Sequence, residues 1–164
     1  ITVHMLLALV IIGLQLYLIH LIAPSQQKII KTTKLFFWLV FAIFAITFFQ
    51  MFLGTQVREE IDHLRKAGIG RSEWNNYFGM QFFIHRSFSW LVLALLTLMF
   101  WVKRNDRNYR IIHWAFLILA VELISGVLLA HFNMPGLVQT AHLLFATVLF
   151  GILVMSVFRL KTNK

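Results

Sequence analysis

Residues 138–158 read VQTAHLLFATVLFGILVMSVF, a stretch that contains no Asp, Glu, Lys or Arg. A helix needs about 20 mostly apolar residues to cross the hydrocarbon core of a bilayer, and this stretch is long enough. Four other segments satisfy the same requirement. The five predicted spans are residues 2–22, 35–53, 82–102, 111–130 and 138–158. The sequence therefore predicts an all-α integral membrane protein with five transmembrane helices.

The composition of the whole chain supports this class. Of the 164 residues, 60% are hydrophobic and only 13% are charged. Soluble domains are about 45–50% apolar and about 25% charged, so an ordinary soluble domain is excluded. The chain has no cysteine, which excludes disulfides, thiolate metal sites and cysteine nucleophiles.

The charged residues of the connections predict the orientation, because Lys and Arg accumulate in cytoplasmic loops. Connections 23–34 and 103–110 and the tail are strongly basic, whereas connection 54–80 mixes both signs and connection 132–136 has no charge. This pattern predicts an amino end outside and a carboxyl end in the cytoplasm. The net charge of +9 lies in short loops, so membrane lipid, not nucleic acid, is the expected partner. The basic residues of the predicted cytoplasmic side are Lys28, Lys31, Lys34, Lys103, Arg104, Arg107, Arg110, Arg159, Lys161 and Lys164.

Two histidines lie at matched depth in separate predicted spans. His85 and His142 are each about one turn inside the outer end of their helix, at ~1.5 Å per residue. Ionisable groups within a span usually face the bundle interior and mark function. Two opposed imidazoles are what bis-histidine ligation of a heme iron requires. Zinc normally takes a third or fourth protein ligand, and only His131 is near enough to supply one, so the pattern favours heme.

Two arginines are predicted near the same level. Arg58 follows the second span and Arg86 follows His85 directly. The planar guanidinium can donate two parallel hydrogen bonds to a carboxylate, which suits the heme propionates. The alternative is that both arginines simply mark the water interface.

Several acidic residues carry further expectations. Glu59, Glu60 and Asp62 are assigned to the outer loop, either as a solvated face or as a proton or water relay. Glu122 lies halfway along the fourth span and is expected to face the bundle. There it either bonds between helices or belongs to a proton path.

An internal repeat divides the chain. The first span begins HMLLALVIIG (4–13) and the fifth contains HLLFATVLFG (142–151), so His, Leu, Ala, Val and Gly coincide at equivalent positions. Both segments run in the same direction and are four helices apart, as in tandem four-helix units. We therefore expect residues 1–34 to be the last helix of a preceding unit with its linker, and residues 35–164 to be a complete four-helix unit. By this logic the chain is a piece of something longer, and His4 has a partner on a preceding helix.

Three motifs resemble those of the heme A synthase family. They are QMFLGTQVR (50–58), IHR (84–86) and AHL (141–143), with ELISG (122–126) and Pro135 as weaker similarities. The resemblance implies oxidation of the heme O methyl group to the formyl group of heme A. It implies that His85 and His142 bind heme b, that His4 belongs to a second heme site for heme O or heme A, and that this chain supplies the heme b-binding half. Most of the catalytic half, and the cysteine pair that many members carry, are absent from this sequence.

The resemblance also implies a setting. It suggests the bacterial cytoplasmic (inner) membrane, with heme O synthase or terminal oxidase assembly proteins as partners. Two alternatives stay open from the residues alone. One is a b-type membrane cytochrome that only transfers electrons, and the other is a cofactor-free membrane subunit or assembly factor.

Overall fold

The computed structural model describes residues 2–22 and 29–162 and contains five long helices. These are α1 (Thr2–Ile22), α2 (Lys34–Lys66), α3 (Met80–Lys103), α4 (Arg110–His131) and α5 (Gly136–Arg159). Short 3-10 helices cover Arg71–Asn76 and Arg107–Tyr109. All five α-helices are long and apolar enough to cross a membrane, so the predicted all-α, five-span class is confirmed. Lys28 and Lys164, assigned to the cytoplasmic side, lie outside the described residues.

Helix α2 is longer than its apolar segment. It continues without a break from Leu53 to Lys66, so the assignment of Glu59, Glu60 and Asp62 to a loop is wrong. No Gly or Pro interrupts residues 55–66, and Arg58 and Asp62 form an i,i+4 ion pair at 3.3 Å. The helix ends just before Gly68, whose φ of 75° suits glycine. The polar end of α2 therefore projects beyond the bundle as a rigid helix.

Helices α2 to α5 pack around one core at one end of the bundle. The most deeply buried side chains come from the start of α2 and α4 and from the end of α3 and α5. They include Val40, Ile43, Leu96, Met99, Ile112 and Leu153. A smaller apolar cluster lies at the opposite end and contains Val57, Ile61, Trp74, Phe78 and Met134. The polar residues considered below lie between these two clusters.

Two short strands bring together the segment before α2 and the segment after α5, at the end of the bundle that holds the larger core. Strand β1 (Ile30–Thr32) precedes α2, and strand β2 (Leu160–Thr162) follows α5. They pair in parallel, with Ile30 opposite Leu160. The Tyr109 hydroxyl donates to Thr32 Oγ1 at 3.2 Å and so ties β1 to the start of α4. We call this end of the molecule the β end.

Helix α1 lies on the outside of the four-helix unit. It packs on α5 and α2 through Leu9, its one buried residue among those described, which contacts Phe150 and Val154. Thr2 donates to Glu59 Oε2 at 3.0 Å, so α1 also contacts the projecting end of α2. The division into residues 1–34 and 35–164 stays a prediction.

Candidate functional site

His85 on α3 is held by the backbone of α2. Its Nδ1 lies 3.1 Å from the carbonyl oxygen of Gln50. A carbonyl oxygen can only accept, so Nδ1 carries the proton and the lone pair of the neutral ring is on Nε2. The Gln50 side chain donates to the His85 carbonyl at 2.7 Å and to Ser89 Oγ at 2.8 Å. The ring is therefore fixed as a tautomer whose Nε2 can bind a metal.

His142 on α5 is held by side chains of α4. Its Nδ1 lies 2.8 Å from Ser125 Oγ and 3.2 Å from Glu122 Oε1. Ser125 Oγ donates its own proton to the Glu122 carbonyl at 2.8 Å, so its lone pairs are available to accept from Nδ1. His142 is thus held in the same tautomer as His85, again with its lone pair on Nε2.

A glycine lies against each imidazole ring. A Cβ built on Gly54 would be 3.4 Å from Cε1 of His85, and a Cβ built on Gly126 would be 3.4 Å from Cε1 of His142. Each glycine follows, four residues later, the residue that faces Nδ1, which is Gln50 on α2 and Glu122 on α4. Positions four residues apart are separated by about one helical turn and lie on the same face. Each supporting helix, α2 or α4, therefore places both the residue that faces Nδ1 and the glycine against the same ring.

The surroundings of His85 and His142 form one layer between the two apolar clusters, which we call the histidine layer. The helix pairs α2–α3 and α4–α5 each contribute one half. Gln50 Oε1 and Glu122 Oε2 are buried here without a hydrogen-bond partner among the described residues. Sequence reasoning placed the histidines but missed Gln50, Ser125 and the two glycines as their supports. The available signal was the shared spacing of QMFLG (50–54) and ELISG (122–126).

The donor set fits a bis-histidine heme. Metal-binding histidines usually donate their second N–H to a carboxylate, carbonyl or similar acceptor, and both rings do so here. Iron in a b-type heme takes one such nitrogen from each side of the macrocycle. Within residues 2–22 and 29–162, no cluster of three or more His, Cys, Asp or Glu side chains could hold a metal ion, whereas zinc commonly needs three.

Arg58 lies close to the histidine layer on the side away from the β end. Its Nη1 donates to Oε1 of Gln139, which is one turn before His142 on α5, and its Nη2 lies 3.3 Å from Asp62. Gln139 in turn donates to the carbonyl of Met134 at 2.7 Å. The guanidinium is therefore located where α2 and α5 meet, with part of its surface exposed.

The other predicted site residues are less closely connected. Arg86 is exposed and has no side-chain partner in the described part of the chain. His4 and His131 are likewise exposed. No hydrogen bond or ion pair between described residues joins His4 to His85 or His142. Glu122 faces α5, as expected for a bundle-facing acid.

Two cavities lie elsewhere in the molecule. One, of about 310 Å³, is bordered by the projecting part of α2, including Glu59, Glu60 and His63. The other, of about 510 Å³, is an apolar groove between α1 and the α2–α5 face, bordered by Gly13 and Phe48 among others. Neither of these two cavities borders His85 or His142.

Comparison with known proteins identifies the family. The sequence profile of COX15-CtaA, described as cytochrome oxidase assembly protein, matches residues 1–154. Searches of curated proteins and of solved structures give no significant match. The matched family acts in cytochrome oxidase assembly and heme A synthesis, and the resemblance seen in the sequence is confirmed. The chain belongs to the COX15-CtaA family of cytochrome oxidase assembly proteins, which is the heme A synthase family.

Proposed function

We propose that this chain supplies the heme b-binding half of a heme A synthase, an oxidoreductase that converts the heme O methyl group to the formyl group of heme A. In this proposal His85 and His142 are the axial ligands of heme b. Family membership supports the reaction class. The observation that carries the site is that both Nδ1 atoms face oxygen acceptors, which leaves both Nε2 atoms for the iron.

The protein's part is to hold and orient the cofactor. A bis-imidazole heme supplies one-electron transfer when bound. Gln50 and Ser125 fix the tautomer and the orientation of the two rings, and the apolar clusters on either side exclude bulk water. Arg58 and Arg86 are proposed as donors to the propionates. The Arg58 guanidinium already bonds to Gln139, which is one helical turn before His142 on α5.

His4 is proposed to belong to a second heme site for heme O or heme A. Two features support this role. His4 and the glycine that follows it, Gly13, match His142 and Gly151 of α5. Its side chain is also exposed on the first helix, so it is free to face another element.

The proposed location is the bacterial cytoplasmic membrane, with the β end in the cytoplasm. Basic residues flank that end in the described part of the chain, as cytoplasmic segments do. They are Lys31, Lys34, Lys103, Arg104, Arg107, Arg110, Arg159 and Lys161. Membrane lipid and heme O are the proposed contacts, and heme O synthase and terminal oxidase assembly proteins are proposed partners.

The two histidine ligands alone would also suit a membrane cytochrome that only transfers electrons. Family membership favours the synthase, because the matched family acts in oxidase assembly and heme A synthesis.

The visible spectrum of the detergent-purified chain tests the heme site. We expect reduced b-type bands in the wild type and their loss in His85→Ala and His142→Ala. His131→Ala is the matched control, since this exposed histidine has no side-chain partner in the described part of the chain, and it should keep the bands. A colourless wild type, expressed with ample heme, would refute the ligand assignment.

A further inference from the structure

His85 and His142 each lie against a glycine of the neighbouring helix, but the groups that face their Nδ1 atoms differ in chemistry. The residue before each glycine is Leu53 on α2 and Ser125 on α4, and both side chains are 6% exposed. The residue four before each glycine is the amide Gln50 in one case and the acid Glu122 in the other. His85 therefore faces a neutral backbone carbonyl, whereas His142 faces a hydroxyl and a carboxyl group.

The groups around His142 are arranged to accept a hydrogen bond from the Nδ1–H of its ring. Ser125 Oγ is fixed by its own bond to the Glu122 carbonyl, which turns its lone pairs to Nδ1 at 2.8 Å. Glu122 Oε1 approaches the same Nδ1 to 3.2 Å, while its Oε2 is buried and has no hydrogen-bond partner within residues 2–22 and 29–162. A buried acid within a transmembrane span is energetically costly. Among the described residues, the polar side-chain contact of Glu122 is with the His142 imidazole. That pairing explains why the acid is there.

We propose that Ser125 and Glu122 are positioning residues that give His142 different hydrogen-bond acceptors from that of His85, and so make the two axial ligands unequal in electron donation. This inference rests on the proposed function, because it requires a heme between His85 and His142. Stronger acceptors on the far nitrogen of a ligating imidazole increase its basicity. Hydrogen bonding near the iron also sets the reduction potential. The acceptor at Nδ1 of His142 therefore lowers the potential of the heme relative to a site in which this nitrogen has no acceptor.

Two conservative variants and one control test this inference. Ser125→Ala removes the hydroxyl, and Glu122→Gln replaces the carboxyl group by an amide of the same shape. Ser156→Ala is the control, because Ser156 is 1% exposed and its hydroxyl donates to the Ile152 carbonyl of its own helix, at 2.7 Å. The measurements are the heme midpoint potential and the low-spin ferric electron paramagnetic resonance spectrum of the purified full chain at one fixed pH.

We expect Ser125→Ala to have a higher midpoint potential than the wild type, because the His142 ring loses its acceptor at 2.8 Å. Glu122→Gln should shift the potential, and both test variants should have altered g values. Ser125→Ala should also hold heme about 10-fold or more weakly, as is common when a supporting group of a ligand is lost. Ser156→Ala should match the wild type in all three respects.

The outcomes separate this inference from the heme assignment itself. A wild type without heme would refute the proposed function. Heme-loaded test variants with the potential and g values of Ser156→Ala would overturn the positioning role and leave the ligand assignment intact. If Glu122→Gln does not accumulate in the membrane, Ser125→Ala decides the question alone, since it only removes one buried oxygen.

Discussion

The imidazole of His142 lies directly on the backbone of Gly126. A Cβ at position 126 would be 3.4 Å from Cε1 of the ring, which is ordinary van der Waals contact, so alanine fits but leaves no room for further atoms. A Cβ at position 54 would lie at the same distance from Cε1 of His85. The positions of the two rings therefore depend on small residues of the neighbouring helices.

Gly126→Val is expected to displace His142. The added methyl groups would have to occupy the space of the ring, and overpacking of this kind costs about 1–3 kcal/mol. Heme content per chain should fall sharply in the absorption spectrum. Gly13→Val is the control, because among the described residues nothing outside the local backbone of α1 lies within 4 Å of a Cβ at position 13. Equal heme content in the two variants would contradict the packing described for Gly126.

Replacing Gln50 by Met should weaken the support of His85 without unfolding the bundle. The variant loses two donated hydrogen bonds, to the His85 carbonyl and to Ser89 Oγ. A net hydrogen bond contributes about 0.5–1.5 kcal/mol. Part of this loss is offset, because the unpartnered Gln50 Oε1 is removed as well. We expect a moderate decrease in the thermal unfolding midpoint in detergent, and an unchanged or higher midpoint would show that these bonds do not stabilise the fold.

Substitutions of Arg58 and Arg86 should have different effects on the stability of the heme-free protein. Arg58→Gln breaks the contacts with Gln139 and Asp62, for an expected loss of up to about 1 kcal/mol, typical of a partly exposed pair. Arg86→Gln removes a side chain without described partners and should leave the unfolding midpoint unchanged. A larger effect of Arg86→Gln than of Arg58→Gln would contradict the network described for α2 and α5.

Tyr109→Phe should loosen the β end. It removes the bond from the Tyr109 hydroxyl to Thr32 Oγ1, worth about 1 kcal/mol. The segment before α2 should then be cleaved faster by a protease added to the purified chain. Tyr77→Phe serves as the control, since Tyr77 is 52% exposed. Identical cleavage rates in both variants would show that Tyr109 does not hold β1.

The orientation can be tested with single cysteines, because the chain has none of its own. Ser72→Cys lies beyond the end of α2 and Asn105→Cys lies between α3 and α4, both at exposed positions. A membrane-impermeant maleimide applied to intact spheroplasts should label position 72 only, with position 105 labelled after lysis. The reverse pattern would overturn the proposed orientation.

The helices could be predicted because apolar length is a local property of the sequence. The end of α2 could not be predicted from hydropathy, since residues 55–66 are polar yet remain helical through local bonding such as the Arg58–Asp62 pair. The β1–β2 pair depends on segments about 130 residues apart and has no signal in either segment alone.

The histidines of the site were visible in the sequence, whereas their supports were not. His85 and His142 are noticeable because ionisable residues are rare within spans. Gly54 and Ser125 are ordinary residues of a membrane helix, and their role follows only from which ring each one touches. The repeated spacing of Gln50–Gly54 and Glu122–Gly126 becomes meaningful once α2 is seen to support α3 and α4 to support α5.

The parallel pairing of β1 with β2 places the entrance and the exit of the four-helix unit side by side. A module whose start and finish adjoin can be copied in tandem or re-joined end to end with a short connector, as circular permutation and domain insertion exploit. The ends of residues 30–162 therefore adjoin, which suits the predicted division of the chain into tandem four-helix units. In that division, the segment could be duplicated in evolution without rearranging the helices that surround the two histidines.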